Sequence, residues 1–373
     1  MLGRVFLKKI AILLSLFLIS FLFIVPAGAI STSASSAILI NADTLSVLYA
    51  KNADEKRSMA STTKIMTALL LSEANTPQKT VTVTKEMAYV EGTNMGLKVG
   101  DTVTHNALLY GLLLSSGNDA ANTVALSLSK SFSDFAVLMN KRAERIGMKN
   151  TSFVTPSGLD DENHYSTAYD MALLAAAALK NPQFSKAAAT KEITIDIDNK
   201  GTMRTFSNHN KMLRLYDGAI GVKTGFTKKS GRCLVSAAKK DNVTLIAVTL
   251  NAPNDWEDHK KMLDYGFENS TSIEFEPQIP EGVYCVATNE YLPIKTSKLL
   301  YGKSFDDDIV YKISLPNFVY GIQNDEVVGE VSAYCGNTLV ATSQIIVEES
   351  RKNYDKIFFV SFYNSLLKLI RSI

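Results

Sequence analysis

The period of the apolar positions changes several times along the chain. Ile10–Val25 is an apolar run broken only by Ser15 and Ser20. It follows Arg4, Lys8 and Lys9 and precedes the small residues Ala27-Gly28-Ala29. A basic start, an apolar stretch and a small-x-small site make an export signal, so residues 1–29 are expected to be a signal peptide and the mature chain to begin near Ile30. An uncleaved span is the competing reading, and the run is short for the ~20 apolar residues that a spanning helix needs. Ser36–Lys51 reads as two strands around Asn41-Ala42-Asp43. Helical periods follow at Thr62–Ser72, Asn106–Leu114, Asp119–Ser129, Phe132–Ile146 and Asp170–Leu179; Gly147 closes the fourth and Asn181-Pro182 ends the fifth. Strand-like runs then return at Lys191–Asp196, Gly218–Lys223, Arg232–Ala238 and Thr244–Leu250, before a helix over His259–Phe267. The last three runs are separated by turn-like segments, as antiparallel neighbours are. Strands, then helices, then strands again predict an α+β domain, an antiparallel sheet flanked by helices.

The two prolines of Glu274–Pro280 mark a boundary. Past it, Val283–Ala287, Ile309–Leu315, Glu326–Val331 and Thr338–Val347 are strand-like, so a small all-β domain is expected over 273–350 after a larger domain over 30–272. The tail, 351–373, repeats Ile357, Phe359, Val360, Tyr363, Leu366, Leu367, Ile370 and Ile373 at helical spacing. Its other face carries Ser361, Asn364, Ser365, Lys368, Arg371 and Ser372. This predicts an amphipathic helix lying in a membrane surface; a helix packed on the protein's own core has the same period. The expected location is outside the cytoplasm, on the outer face of the membrane.

Composition narrows the functions. The 39 basic and 37 acidic residues leave net +2, without the basic footprint of a nucleic-acid binder. Three cysteines are too few for a disulfide scaffold or a cysteine-rich zinc site. Cys233 reads as a buried thiol, and a Cys285–Cys335 disulfide, which export would permit, stays open. His105, His164, His209 and His259 are scattered without metal-ligand spacing, so no metal or cofactor is expected.

Three short motifs carry the chemistry. Ser61-Thr62-Thr63-Lys64 opens an apolar helix after a polar stretch. Residues three apart share a helix face, so the Lys64 amine can sit beside the Ser61 hydroxyl. An amine whose pKa is lowered by burial or nearby cations can take the proton of a serine nucleophile. The same spacing recurs at Ser127/Lys130, Ser236/Lys239 and Ser365/Lys368, so spacing alone does not select Ser61; its helix-opening context does. Ser116-Gly117-Asn118 lies between two helices, where a hydroxyl and an amide can relay a proton and hold a carbonyl, or simply cap a helix. Lys223-Thr224-Gly225 ends an apolar strand. A cation and a hydroxyl there suit a carboxylate, with glycine permitting close backbone approach; an ordinary strand end looks the same.

The set S-x-x-K, S-x-N and K-T-G, in this order, occurs in penicillin-binding proteins and class A β-lactamases. The chain resembles the low-molecular-mass penicillin-binding proteins, the serine-type D-alanyl-D-alanine carboxypeptidases of the β-lactamase/transpeptidase-like superfamily. The resemblance extends to Met95-Gly96-Leu97, Asp119-Ala120-Ala121, Gly158-Leu159-Asp160, His164-Tyr165-Ser166-Thr167-Ala168, Asn208-His209-Asn210 and Phe226-Thr227. It implies that Ser61 attacks the penultimate D-alanine carbonyl of a peptidoglycan stem peptide, with Lys64 as base and Ser116 passing a proton to the leaving group. It further implies that Asn118 holds the substrate amide, that Lys223 and Thr224 meet its carboxylate, and that the N–H groups of Ser61 and Phe226, beside Gly225, form the oxyanion hole. β-Lactams are the implied covalent inhibitors. Some relatives carry an arginine after the last core strand that reads the carboxylate; Asn251–Glu257 has none, and Arg232 is the nearer arginine. Endopeptidase or transpeptidase activity from the same acyl-enzyme is the alternative. A β-lactamase would need a glutamate-activated water, for which only Asp160, Asp161 and Glu162 are at hand, and a non-catalytic wall-binding scaffold would not need the intact motifs.

Overall fold

The structure, a computed structural model, describes residues 30–287, 289–320 and 325–348. The expected signal segment and tail helix lie outside the described residues. Strands β1 (Ser36–Asn41), β2 (Val47–Lys51), β3 (Ala219–Thr227), β4 (Gly231–Lys240) and β5 (Val243–Leu250) form one antiparallel sheet in the order β2-β1-β5-β4-β3. The central strands are apolar throughout because both faces are covered. On β5, Ile246, Val248 and Leu250 join the main core. Their neighbours face the closing helix, whose His259 ring reaches Ser236 Oγ on β4 at 2.5 Å and Thr249 Oγ1 on β5 at 2.9 Å.

The helices are α1 (Lys64–Glu73), α2 (His105–Leu113), α3 (Asn118–Leu128), α4 (Phe132–Ile146), α5 (Ala168–Leu179), α6 (Pro182–Ala189) and α7 (Asp255–Glu268), with single turns at Lys85–Ala88 and Met212–Leu215. Helix α1 is apolar almost all round because it runs through the middle of the helical layer. Local chemistry sets the helix starts. Thr104 accepts from Ala107 N, Ser131 from Asp134 N and Thr167 from Asp170 N, each an N-cap. Asn181-Pro182 does end α5, but it also starts α6, with Asn181 as cap and proline in the first turn, where its missing N–H costs nothing. The sequence pattern placed the strand Glu192–Asp196 but missed both its partner strand, Met203–Ser207, and α6.

The C-terminal part is all β: β6 (Ser270–Phe275), β7 (Gly282–Cys285), β8 (Glu290–Thr296), β9 (Leu299–Ser304), β10 (Ile309–Ser314), β11 (Phe318–Val319), β12 (Val327–Cys335) and β13 (Thr338–Val347). Six of these form a sheet in the order β10-β12-β13-β8-β7-β11, and β6 pairs with β9. Their core, built from Val283, Leu292, Ile294, Val331, Ile345 and Val347, is separate from the first. Strand β6 runs across the boundary expected near 272. Cys285 and Cys335 are not bonded to each other. They sit on β7 and β12, with β13 and β8 between; three strand spacings of ~4.8 Å exceed the Cα separation that a disulfide spans. Cys233 is buried on β4, as expected. Among the described residues, no helix is long and apolar enough to cross a membrane.

Candidate active site

Ser61 lies in a 3-10 turn, Ala60–Thr63, that runs directly into α1, whose first residue is Lys64. The spacing works as anticipated, since Lys64 Nζ stands 2.9 Å from Ser61 Oγ. Two carbonyl oxygens also receive the amine, Asn118 Oδ1 at 2.6 Å and Ser157 O at 2.7 Å. Lys64 is fully buried. Burial, and then the positive charge of Lys223, hold its pKa well below the ordinary lysine value, with Asp119 pulling the other way. An uncharged amine has two N–H groups and one lone pair. When the amine is uncharged, the two carbonyls can take its N–H groups and leave the lone pair for the Ser61 hydroxyl; when it is charged, it donates to all three.

Asn118 is itself pinned, because its Nδ2 donates to Glu91 O at 2.5 Å. The loop that supplies this carbonyl is held from below by Asp119, whose carboxylate accepts from the backbone N–H groups of Met95, Gly96 and Leu97 at 2.8–2.9 Å. Thr93 Oγ1 donates to Ser116 O, and Asn118 N donates to Thr93 O. The S-x-N motif is therefore a turn clamped to a second loop as well as a helix start. Ser116 itself sits at φ +57°, a left-handed conformation unusual for serine.

The K-T-G motif does not end its strand. Strand β3 continues through Lys223, Thr224 and Gly225 to Thr227, on the open edge of the sheet and directly against the Ser61 turn. A Cβ at Gly225 would lie 3.0 Å from both Ser61 N and Thr62 N, so only glycine lets strand and turn touch through their backbones. Lys223 is buried, donates to Thr224 O at 2.9 Å, and is brought down by burial to about 7. A cleft of about 390 Å³ opens over these parts, lined by Ser61, Ser116, Thr224, Gly225 and Phe226. Lys64 reaches it through Ser61, and Lys223 through Thr224.

Arg232, directly across from Phe226, lines the same cleft together with Asp255 and Trp256. Its guanidinium donates twice to Asp255 Oδ1, at 2.8 and 3.0 Å, which ties it to the wall. Behind the Ser61 turn, the His164 ring accepts from Val154 N at Nδ1 and so carries its proton on Nε2, 2.8 Å from Thr63 Oγ1; Thr63 Oγ1 donates to Ala60 O. Asp160 accepts from Ser58 and Thr227, and none of Asp160, Asp161 or Glu162 lines the cleft. The competing Ser-x-x-Lys pairs are accounted for: Ser236 is bonded to His259, Ser127 Oγ donates to Val124 O, and Ser365/Lys368 lies outside the described residues. The carbonyls of Glu91 and Ser157, the Asp119 clamp and the His164 brace escaped the sequence reading. A backbone carbonyl leaves no mark in a sequence, and an aspartate in a first helical turn is ordinary.

The comparisons with known proteins agree with this geometry. The family model described as D-alanyl-D-alanine carboxypeptidase, peptidase S11, matches residues 25–254. D-alanyl-D-alanine carboxypeptidase DacF of Bacillus subtilis is 41% identical over 244 residues, which span 63% of this chain and 62% of that relative. The crystal structure of a Streptomyces DD-transpeptidase superposes with a TM-score of 0.61 at 36% identity, covering 64% of this chain and 98% of the other. The D-alanyl-D-alanine carboxypeptidase DacD from Francisella tularensis, at 24% identity, shares the fold over 87% of this chain and 95% of its own, with a TM-score of 0.62. The motifs, the fold that assembles them and the family match converge: the chain belongs to the peptidase S11 family of D-alanyl-D-alanine carboxypeptidases.

Proposed function

We propose that the protein is a penicillin-binding serine D,D-carboxypeptidase that removes the terminal D-alanine of peptidoglycan stem peptides through an acyl-enzyme on Ser61. The observation that carries this reading is the buried amine of Lys64, 2.9 Å from Ser61 Oγ and within hydrogen-bond reach of the Asn118 and Ser157 carbonyl oxygens. Lys64 takes the Ser61 proton as Oγ attacks the penultimate D-alanine carbonyl. The oxyanion forms beside the N–H groups of Ser61 and Phe226, which the close approach at Gly225 supports. Ser116 relays the proton to the leaving D-alanine, Asn118 holds the peptide amide, and Lys223 with Thr224 receives the terminal carboxylate. Water then releases the acyl group.

Labelled penicillin and a pentapeptide release assay test this directly. The label is expected on the Ser61 peptide, and Ser61→Ala is expected to stay folded while losing both label and D-alanine release; turnover retained by that variant would refute the assignment. A second reading has its own support, the likeness to the Streptomyces DD-transpeptidase. In that case added amine acceptors would divert the acyl group from water, and the product ratio measures the balance. A β-lactamase reading is disfavoured because none of Asp160, Asp161 or Glu162 lines the cleft, and Asp160 is held by Ser58 and Thr227.

The same reading extends to the whole chain. Residues 1–29 serve as signal peptide, 30–272 as catalytic domain, 273–350 as a β-rich domain and 351–373 as an amphipathic anchor on the outer face of the membrane. The two separate cores support the middle division. Deleting residues 356–373 is expected to release active protein from the membrane fraction.

A further inference from the structure

The outer face of the C-terminal sheet is aromatic where a solvated sheet face is ordinarily polar. On β7 and β8, Val283, Cys285, Leu292 and Ile294 point into the second core, as does Val319 on β11. The alternating positions therefore point outward: Tyr284 on β7, Tyr291 and Pro293 on β8, Phe318 on β11, and Tyr320 two residues on. Tyr284 pairs with Phe318 on one side and with Tyr291 on the other, so three rings stand abreast across three strands. The Tyr284 and Tyr291 rings meet edge to face at 5.5 Å. Tyr291 is 74% exposed, Phe318 62% and Tyr320 58%. A contiguous exposed patch of this kind marks an interaction surface, and tyrosine suits a boundary where the ring is in an apolar phase and the hydroxyl is wet.

The path of the chain indicates what covers it. The last described residue, Glu348, donates its N–H to Pro293 O at 2.9 Å, two positions from Tyr291 on the same strand. From that point residues 349–373 continue, carrying the basic, aromatic tail sequence. The seven residues before Lys356 span at most ~25 Å. We propose that the face formed by Tyr284, Tyr291, Phe318 and Tyr320 rests on the lipid surface beside the root of the tail, as a second membrane contact. This rests on the reading of the tail as a membrane anchor. Two weak contacts joined by a short tether bind far more tightly than either alone, and Lys295, on the same outer face, is placed for anionic headgroups.

The test uses the full mature chain and vesicles of phosphatidylcholine with phosphatidylglycerol. In Tyr291→Cys, labelled with an environment-sensitive fluorophore, vesicles are expected to shift the emission to the blue. Emission already shifted without vesicles would mean that the tail itself covers the face, and emission unmoved by vesicles would mean that the face stays in water; either overturns the proposal. The double variant Tyr291→Ser/Phe318→Ser is expected to partition about tenfold more weakly while labelling with penicillin like the parent. Unchanged partition overturns the proposal and leaves the tail reading intact, whereas a parent chain that ignores vesicles overturns both. Loss of binding to insoluble peptidoglycan with vesicle binding unaltered would reassign the face to glycan.

Discussion

The Ser61 turn is held from behind by a glycine, and the consequence is measurable. Gly158 has φ +87°, and a Cβ built on it would stand 1.9 Å from Ala60 O and 2.7 Å from Thr63 Oγ1. Ala60 immediately precedes Ser61 and is itself left-handed, at φ +47°. In Gly158→Ala the Ala60 carbonyl must retreat by about 1.5 Å to reach ordinary contact, and Ser61 moves with it. A misplacement of ~1 Å at a reacting atom costs on the order of a hundredfold in rate. The left-handed backbone adds about 1–2 kcal/mol and the overpacking about 1–3 kcal/mol. At ~2–4 °C per kcal/mol for a domain of this size, the melting temperature should drop by roughly 5–15 °C. Gly147→Ala is the internal control: φ is +92° there, yet no atom lies within 4 Å of the added Cβ. It should lose only the backbone part, a few degrees, and acylate at the parental rate. The assay pairs thermal melting with stopped-flow acylation by a chromogenic β-lactam. The reasoning is refuted if Gly158→Ala acylates normally, or if Gly147→Ala slows acylation as much.

Other consequences follow from the charges. If catalysis needs Lys64 neutral and Lys223 protonated, kcat/KM for the peptide should fall as pH rises through about 7, the Lys223 value, and rise from acid as Lys64 loses its proton; an alkaline limb absent up to pH 10 would contradict this role for Lys223. His164 and His259 are depressed by burial to about 4 and about 3, so the unfolded chain binds more protons below about 6.5. Their contribution, on the order of 3 kcal/mol each, is complete above that pH and is lost as pH falls through those values, which melting temperatures between pH 7 and 4 will show or deny. Asp119→Ala leaves three loop N–H groups without their acceptor and should cost about 2–4 kcal/mol while loosening Asn118, read as slower acylation with a lower melting point. The Cys233 thiol, raised by burial to about 11, should resist iodoacetamide at pH 8 until the protein is unfolded.

Most helices and the core strands were legible as periods along the chain, because burying one face of an element forces a repeat that sequence must carry. The exceptions are instructive. Helix α6 was lost because Asn181-Pro182 reads as a stop, although the same two residues cap and open the next helix. Strand β3 was cut short at Lys223 because lysine and glycine are poor strand formers in isolation; there the edge position and contact with the Ser61 turn decide. Likewise, the spacing of Ser61 and Lys64 put them together without any structure, since three residues make nearly one helical turn. What spacing does not contain is the burial that lowers the Lys64 pKa, or the approach of Lys223 from 159 residues away. Nor does it contain the Glu91 carbonyl that holds Asn118 or the Ser157 carbonyl that receives the Lys64 amine. Those depend on which distant segments exclude water from one place, and burial of that kind belongs to the folded chain and not to any segment of it.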